Sequence, residues 1–477
     1  MPETVKTRIP ARMDRLPWSG WHWLVVLGLG TVWILDGLEV TIVGAIASRL
    51  SEEDALGISE YQVAVGGTFY ILGAATGALG FGYLTDRLGR KKLFLASLGL
   101  YLVATIATGF TWSAYSFWIF RFFTGLGIGG EYAAINSAID ELIPARARGW
   151  VDLAINGSYW LGAAFGAALS GVLLDKDLFG ADLGWRLAFF LGAILAVAIM
   201  LVRRHVPESP RWLMIHYRND EAEQLVGEIE EEVSRRTGQT LSEVGPDDEI
   251  EIRQRHSTGF VEIARTLFRD YKRRSILGFT LLATQAFVYN AVIFTFSLIL
   301  TNVFDVDSGV AGLYLIPFGI ANFLGALLLG RLFDTVGRRI MISSTYFIAA
   351  VVLAVLAALL AGGSLGLTGY MVLLCIAFFV ASAAASAGYL TVSETFPLEI
   401  RAMAIAFFYA ISTGIGGAVG PLLFGKLLGG DDPTGVAVGY WIAAGLMALA
   451  AIVEVVLGVD AEQQSLEEIA PPLSEET

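Results

Sequence analysis

Charged residues make up only 16% of this 477-residue chain, against roughly a quarter in a soluble globular protein. Hydrophobic residues make up 55%. A chain with that balance has a lipid bilayer as its natural solvent. The single cysteine, Cys375, lies in an apolar run, which excludes a disulfide framework and a thiolate metal site. The four histidines form no HxxH or HExxH pair, which argues against a metal enzyme. No nucleophile and base stand together, so the chain is read as a non-enzyme with no cofactor and no metal. The net charge of −13 says little about partners, because much of the acid lies in two polar stretches, Asp220 to Glu232 and Asp460 to Glu476; no nucleic-acid partner is expected.

What is present is a set of long apolar runs. A spanning helix needs about 20 mostly apolar residues. By that measure there are twelve: Trp21–Ile46, Tyr61–Leu84, Leu93–Thr111, Ala114–Ile139, Trp150–Leu174, Trp185–Val202, Ser275–Thr301, Val310–Leu332, Ile340–Ala361, Gly369–Val392, Met403–Leu428 and Val436–Leu457. The first run is too long for a signal peptide and no A-x-A-like site closes it, so it is read as an uncleaved span. Arg and Lys crowd the amino terminus and alternate loops, among them Arg87 to Lys92, Arg146 to Arg148, Arg338 with Arg339, and Arg401. The other loops hold only Arg49, Lys176, Arg186 and Lys426. Positive loops stay in the cytoplasm, so both termini are expected inside. The absence of a targeting peptide and the short loops point to a prokaryotic inner membrane.

The chain repeats itself. Gly82 to Lys92 has a twin in Gly330 to Arg339, and Glu141 with Arg148 has a twin in Glu394 with Arg401. Two six-helix halves are therefore expected. The organisation reads as an amino-terminal tail (1–20), a first half (21–204), a central cytoplasmic loop (205–274), a second half (275–457) and an acidic tail (458–477). In the central loop Leu225, Ile229 and Val233 recur every fourth residue among acids, the mark of an amphipathic surface helix. Lys272, Arg273 and Arg274 then stand just before the seventh span, where they could meet anionic headgroups or serve as ordinary positive-inside charge.

An ionisable side chain at a helix centre costs at least ~2.5–3.5 kcal/mol to insert, so those in the spans are functional candidates. Asp36 and Glu39 are three apart, on one helix face. Arg121 and Glu131 lie in the fourth span. Glu39 and Arg121 each lie about five residues outward of their helix centres, roughly 7–8 Å, so they can meet at one depth. A buried pair that one proton can break is a coupling device; the plainer reading is a permanent structural ion pair. Asp36 is a spare carboxylate. Glu131 follows Gly125, Gly127, Gly129 and Gly130, which are expected to let another helix approach closely. It could bind a cation, relay a proton or pair with an arginine.

The seventh span carries Gln285, Tyr289 and Asn290, hydrogen-bonding groups able to hold a small solute or to tie helices together. Asn322 in the eighth span and Tyr389 in the tenth join them as candidate solute contacts. The loops with Asp86, Arg87 and Arg90, and with Asp334 and Arg338, lack the strand that a phosphate loop needs. Their expected work is conformational: Arg90 pairs with Glu141, Arg338 with Glu394, and such pairs latch the cytoplasmic side shut. Arg148 and Arg401 belong to the same gate.

Gly82 to Lys92 and Gly330 to Arg339 resemble the G-x-L-x-D-R-x-G-R-[KR]-[KR] loop of the major facilitator superfamily. Pro207 to Leu213 resembles the P-E-S-P-R-[WF]-L of its sugar porters, and Arg121 to Gly129 their R-x-x-x-G-x-G-x-G. Glu141 to Gly149 resembles the following E-x-x-P-x-x-x-R-G. The resemblance implies an all-α membrane protein of twelve helices in two pseudo-symmetric halves. It also implies that Glu39 takes the place of the first-helix acid that pairs with the fourth-helix arginine. Asp36-Gly37-Leu38-Glu39 is similar to the D-G-x-D of aromatic-acid/proton symporters. The Q-Q-x-x-G-x-N of sugar porters is half present, at Gln285 and Asn290, and their P-E-T-K-G after the last helix is absent. The expected function is secondary transport of a small organic solute, a sugar or an organic or aromatic acid, with a proton, by a monomer in the bilayer. The alternatives are a proton-driven exporter of organic cations or drugs, with Asp36 and Glu131 as ligands, and a nutrient sensor or membrane scaffold.

Overall fold

The computed structural model describes residues 4–203, 206–254, 259–427 and 433–473. Residues 204 and 205, where the first half was expected to meet the central loop, lie outside the described residues, as do residues 1–3 and 474–477 of the two tails. In lipid, backbone N–H and C=O groups must pair within the segment, which forces each apolar run into a helix. Among the described residues twelve long helices result. The first half contains α1 (Gly20–Leu50), α2 (Glu60–Leu88), α3 (Arg90–Gly109), α4 (Ala114–Leu142), α5 (Arg148–Leu173) and α6 (Lys176–Arg203). The second contains α7 (Lys272–Phe304), α8 (Leu315–Thr335), α9 (Arg338–Ala361), α10 (Leu367–Thr395), α11 (Arg401–Leu427) and α12 (Pro433–Leu457). Helix α6 begins nine residues before the expected apolar run and breaks at Gly180, where φ is +68°. The apolar core runs across both halves, joining Trp33 and Tyr132 to Tyr389 and Tyr409, and Leu153 and Trp160 to Tyr289 and Phe318; α2 packs on α11 and α5 on α8 to join the halves.

Local chemistry sets the ends. Ser59 accepts from the backbone of Gln62 and Gln62 returns the bond, a capping box that starts α2. Between α2 and α3 the chain turns at Gly89, φ +101°, and between α8 and α9 at Gly337, φ +120°; only glycine takes that conformation without steric cost. Gly125 and Gly129 allow α4 onto α2, where a Cβ would stand 2.0 Å from the carbonyl oxygens of Tyr70 and Ala74.

The polar segments gather at one end of the bundle, here called the basic face. The helix Asn219–Thr237 forms as expected, but it turns Ala222, Val226, Ile229 and Val233 onto the protein, with Leu225 half-buried at the edge. Arg12 and Arg15 of the amino-terminal segment clasp its Glu230. Burial alone would push the Glu230 carboxyl up; the hydrogen bonds from the two arginines hold it below the usual carboxylate range. Beside the helices, one short strand pair forms: β1 (Thr4–Thr7) pairs antiparallel with β2 (Ile250–Arg253), Val5 opposite Ile252. Arg274 does not wait on headgroups: it donates to the carbonyls of Thr395 (2.7 Å) and Ile469 (2.8 Å), tying the carboxyl-terminal segment to α10.

Candidate functional site

Arg121 on α4 donates to Glu39 on α1, and both are buried. Desolvating two charges is repaid only in good geometry, and removing one partner of such a pair costs about 3–5 kcal/mol. One turn earlier on α1, Asp36 accepts from Tyr70 Oη of α2 (2.9 Å) and from Tyr132 Oη of α4. The two carboxylates share a helix face but not their partners. Tyr70 links them, since the Arg121 guanidinium lies 4.4 Å over its ring.

Around Asp36 stand more rings. Trp33 of α1 stacks on Tyr132 at 4.6 Å and meets Tyr389 of α10 edge-on at 5.7 Å. Tyr132 meets Tyr409 of α11 at 4.5 Å. Trp33, Tyr70, Tyr132 and Tyr409 were missed by reading the sequence. Trp33 had one usable signal: it precedes Asp36 by three and so shares its face. Glu131 is buried beside Tyr132 in the chain.

The expected solute face of α7 is split. Tyr289 donates to Asn322 Oδ1 of α8 (3.0 Å), whose amide in turn donates to the Phe318 carbonyl. Asn290 donates to the Ala286 carbonyl of its own helix (2.7 Å) and faces Gly417 of α11. Gln285 is half-buried. The tie between Tyr289 and Asn322 holds α7 to α8.

At the basic face the expected pairs form: Arg90 donates to Glu141 (2.8 Å) and Arg338 to Glu394 (3.0 and 3.1 Å). Each pair lies within one half. Arg90 starts α3 and Glu141 ends α4, neighbours in one half, and the second-half pair repeats this. The crossing contacts are made by other residues. Arg148 lies 3.5 Å from Glu394, and Arg401 lies 3.6 Å from Glu141. Asp334 accepts from the backbone N–H of Gly149 (3.0 Å) and Trp150 (2.7 Å), at the start of α5. Asp86 accepts from Met403 N–H (3.1 Å) at the start of α11. A carboxylate at a helix start meets unpaired donors and the positive end of the dipole. Ser393 of α10 also donates to Asp140 of α4. Arg87 lies 4.0 Å over the Tyr83 ring.

Two further carboxylates brace the loops. Glu208 accepts from the backbone of Arg90 (2.9 Å) and Glu462 from that of Arg338 (3.2 Å). Arg211 binds Glu467 (2.9 Å), Asp14 (3.2 Å) and the Glu141 carbonyl (2.8 Å). Burial disfavours the Arg211 charge, but Glu467 and Asp14 more than restore it and raise its pKa.

Two six-helix halves, tied at one end by reciprocal ion pairs, with a buried ion pair among the helices of the first, define a solute transporter of the major facilitator type. The model of the sugar (and other) transporter family matches residues 38–472, and the chain belongs to that family. It is 27% identical to a niacin transporter of Acinetobacter baylyi over 96% of this chain and 99% of the relative. It is 26% identical to a putative metabolite transport protein of Escherichia coli over 98% of both chains. A 4-hydroxybenzoate transporter of Pseudomonas aeruginosa is 29% identical over 46% of this chain and 48% of its own. Among solved structures, the major facilitator superfamily proton:xylose symporter XylE, bound to 6-bromo-6-deoxy-D-glucose, superposes with a TM-score of 0.74. It shares 20% identity and covers 94% of this chain and 98% of its own.

Proposed function

We propose that this chain carries a small aromatic acid together with a proton across a cell membrane, by alternating access. The buried Arg121–Glu39 pair carries the reading. Protonation of Glu39 neutralises the acid and frees the guanidinium, which then takes the carboxylate of the solute. Without that proton the solute anion meets an arginine already engaged, so proton and solute load together. Rings around Asp36, one helical turn from the pair, and relatives named for niacin and 4-hydroxybenzoate favour an aromatic acid. A sugar is the second reading, supported by Gln285 and Asn290 on α7.

The basic face is taken as cytoplasmic, with both termini inside, and the carrier as a monomer. The contacts from Arg148, Arg401, Asp86 and Asp334 then close the cytoplasmic side, the state that loads from outside. The test is Glu39→Gln in proteoliposomes with labelled 4-hydroxybenzoate, read against protein-free vesicles. The variant should lose pH-driven accumulation yet keep exchange of solute for solute. Full accumulation by the variant would sink the assignment.

A further inference from the structure

We infer that Trp33, Tyr132, Tyr389 and Tyr409 form an aromatic box that grips the planar ring of the solute. The inference rests on the reading of the chain as an aromatic-acid carrier, and it names the ring site that this reading leaves open.

Four observations carry it. The rings come from four helices, α1 and α4 of one half and α10 and α11 of the other, and the contacts between them run unbroken across the interface (Tyr389 to Trp33, Trp33 to Tyr132, Tyr132 to Tyr409). A ring held there touches both halves at once, as a rocking carrier requires of its cargo. The mutual angles are mixed, 26° between Trp33 and Tyr132 and 61° between Tyr132 and Tyr409. Stacked and edge-on faces are therefore both on offer, the two geometries that aromatic pairs prefer. Each of the four keeps between 5% and 9% of its surface accessible, although they lie between the halves. The Trp33 indole N–H is buried and has no acceptor among the described residues; a buried donor left so is costly, and a substituent on a bound ring could accept from it.

The box is also fixed relative to the charge. Tyr132 is held by its hydrogen bond to Asp36, and Asp36 is tied through Tyr70 to Arg121. A ring in the box with its carboxylate toward Arg121 fits a solute of one ring and one acid group. The same cluster could serve packing alone, and in that case it would not distinguish a bound aromatic ring from a saturated one.

The experiment compares benzoate with cyclohexanecarboxylate, equal in charge and similar in size, by equilibrium binding to the purified full-length protein. Benzoate should bind, with the saturated acid roughly tenfold weaker. Trp33→Leu and Tyr409→Leu should each abolish that preference, while Trp33→Phe and Tyr409→Phe should retain most of it. Equal affinity for the two acids in the unaltered protein, no benzoate binding, or a preference that survives both leucine variants would overturn the box. If a leucine variant does not fold, the comparison in the unaltered protein and the phenylalanine variants still decides. A ring preference without Glu39-dependent proton uptake would support the box and count instead against the proton coupling.

Discussion

Arg148 of the first half reaches Glu394 of the second at 3.5 Å, on the carboxylate that Arg338 already holds. Arg401 reaches Glu141 in the mirrored arrangement, on the acid that Arg90 holds. Each half therefore builds a socket from its own arginine and glutamate, and the other half inserts a second arginine. The socket can persist when the halves part; the inserted arginine cannot stay. The contacts that cross between the halves are thus those of Arg148 and Arg401, not those of Arg90 and Arg338.

Arg148→Ala should bias the carrier toward opening at the basic face. Losing one crossing ion pair of about 1 kcal/mol shifts the equilibrium roughly fivefold. A cysteine at buried Ser393, in a Cys375→Ser background, should label about that much faster from the basic face. Unchanged labelling would mean that the crossing pairs do not set the equilibrium.

Arg121→Ala should destabilise the protein by about 3–5 kcal/mol, because Glu39 is left charged and unpaired in the bundle. Removing both charges with Glu39→Gln and Arg121→Gln should cost clearly less than the sum of the two single changes. Thermal unfolding of the four proteins reads the cycle. Additive losses would show that the pair is not energetically coupled.

Docking of the amino-terminal segment should depend on pH through Glu230. Its folded pKa is depressed, so the stability it contributes is complete above the unfolded value of about 4.3 and is lost as pH falls through the folded value. Protease cleavage at Arg8 and Arg12 should therefore stay slow from neutral pH to about pH 5 and quicken below about pH 4. Glu230→Gln should give the fast cleavage already at neutral pH.

Gly89→Ala should cost more than Gly337→Ala. Both positions have positive φ with extended ψ, a region essentially reserved for glycine that costs an L-residue about 1–3 kcal/mol. At Gly89 the added Cβ would also stand 2.4 Å from Glu208 Oε2, against 3.2 Å to Glu462 at Gly337. Gly89→Ala must therefore push away the carboxylate that caps α3. Equal melting shifts would show that Glu208 yields without loss.

The twelve helices were legible because lipid leaves an apolar run no other conformation, and the twinned loops betrayed the two halves. The contact between Glu39 and Arg121 followed from depth alone, since two opposite charges inside a bundle have few other places to go. The phenols on Asp36 were not legible: a tyrosine in a span looks the same facing lipid or facing a carboxylate. Twinned motifs hid the crossing contacts as well. The sequence pointed to Arg90 as the partner of Glu141, and only the packing of α11 on the first half brings Arg401 to the same carboxylate. The strand pairing of Val5 with Ile252 joins segments with no common pattern, so nothing local announced it.

The central claim is that solute and proton bind together through Glu39. The most direct measurement is calorimetric titration of the purified protein with 4-hydroxybenzoate in buffers of different ionisation enthalpy, which counts the protons taken up on binding. The account predicts uptake of up to one proton per solute in the unaltered protein, vanishing in Glu39→Gln. Solute binding with no proton uptake, or the same uptake in the variant, would contradict it.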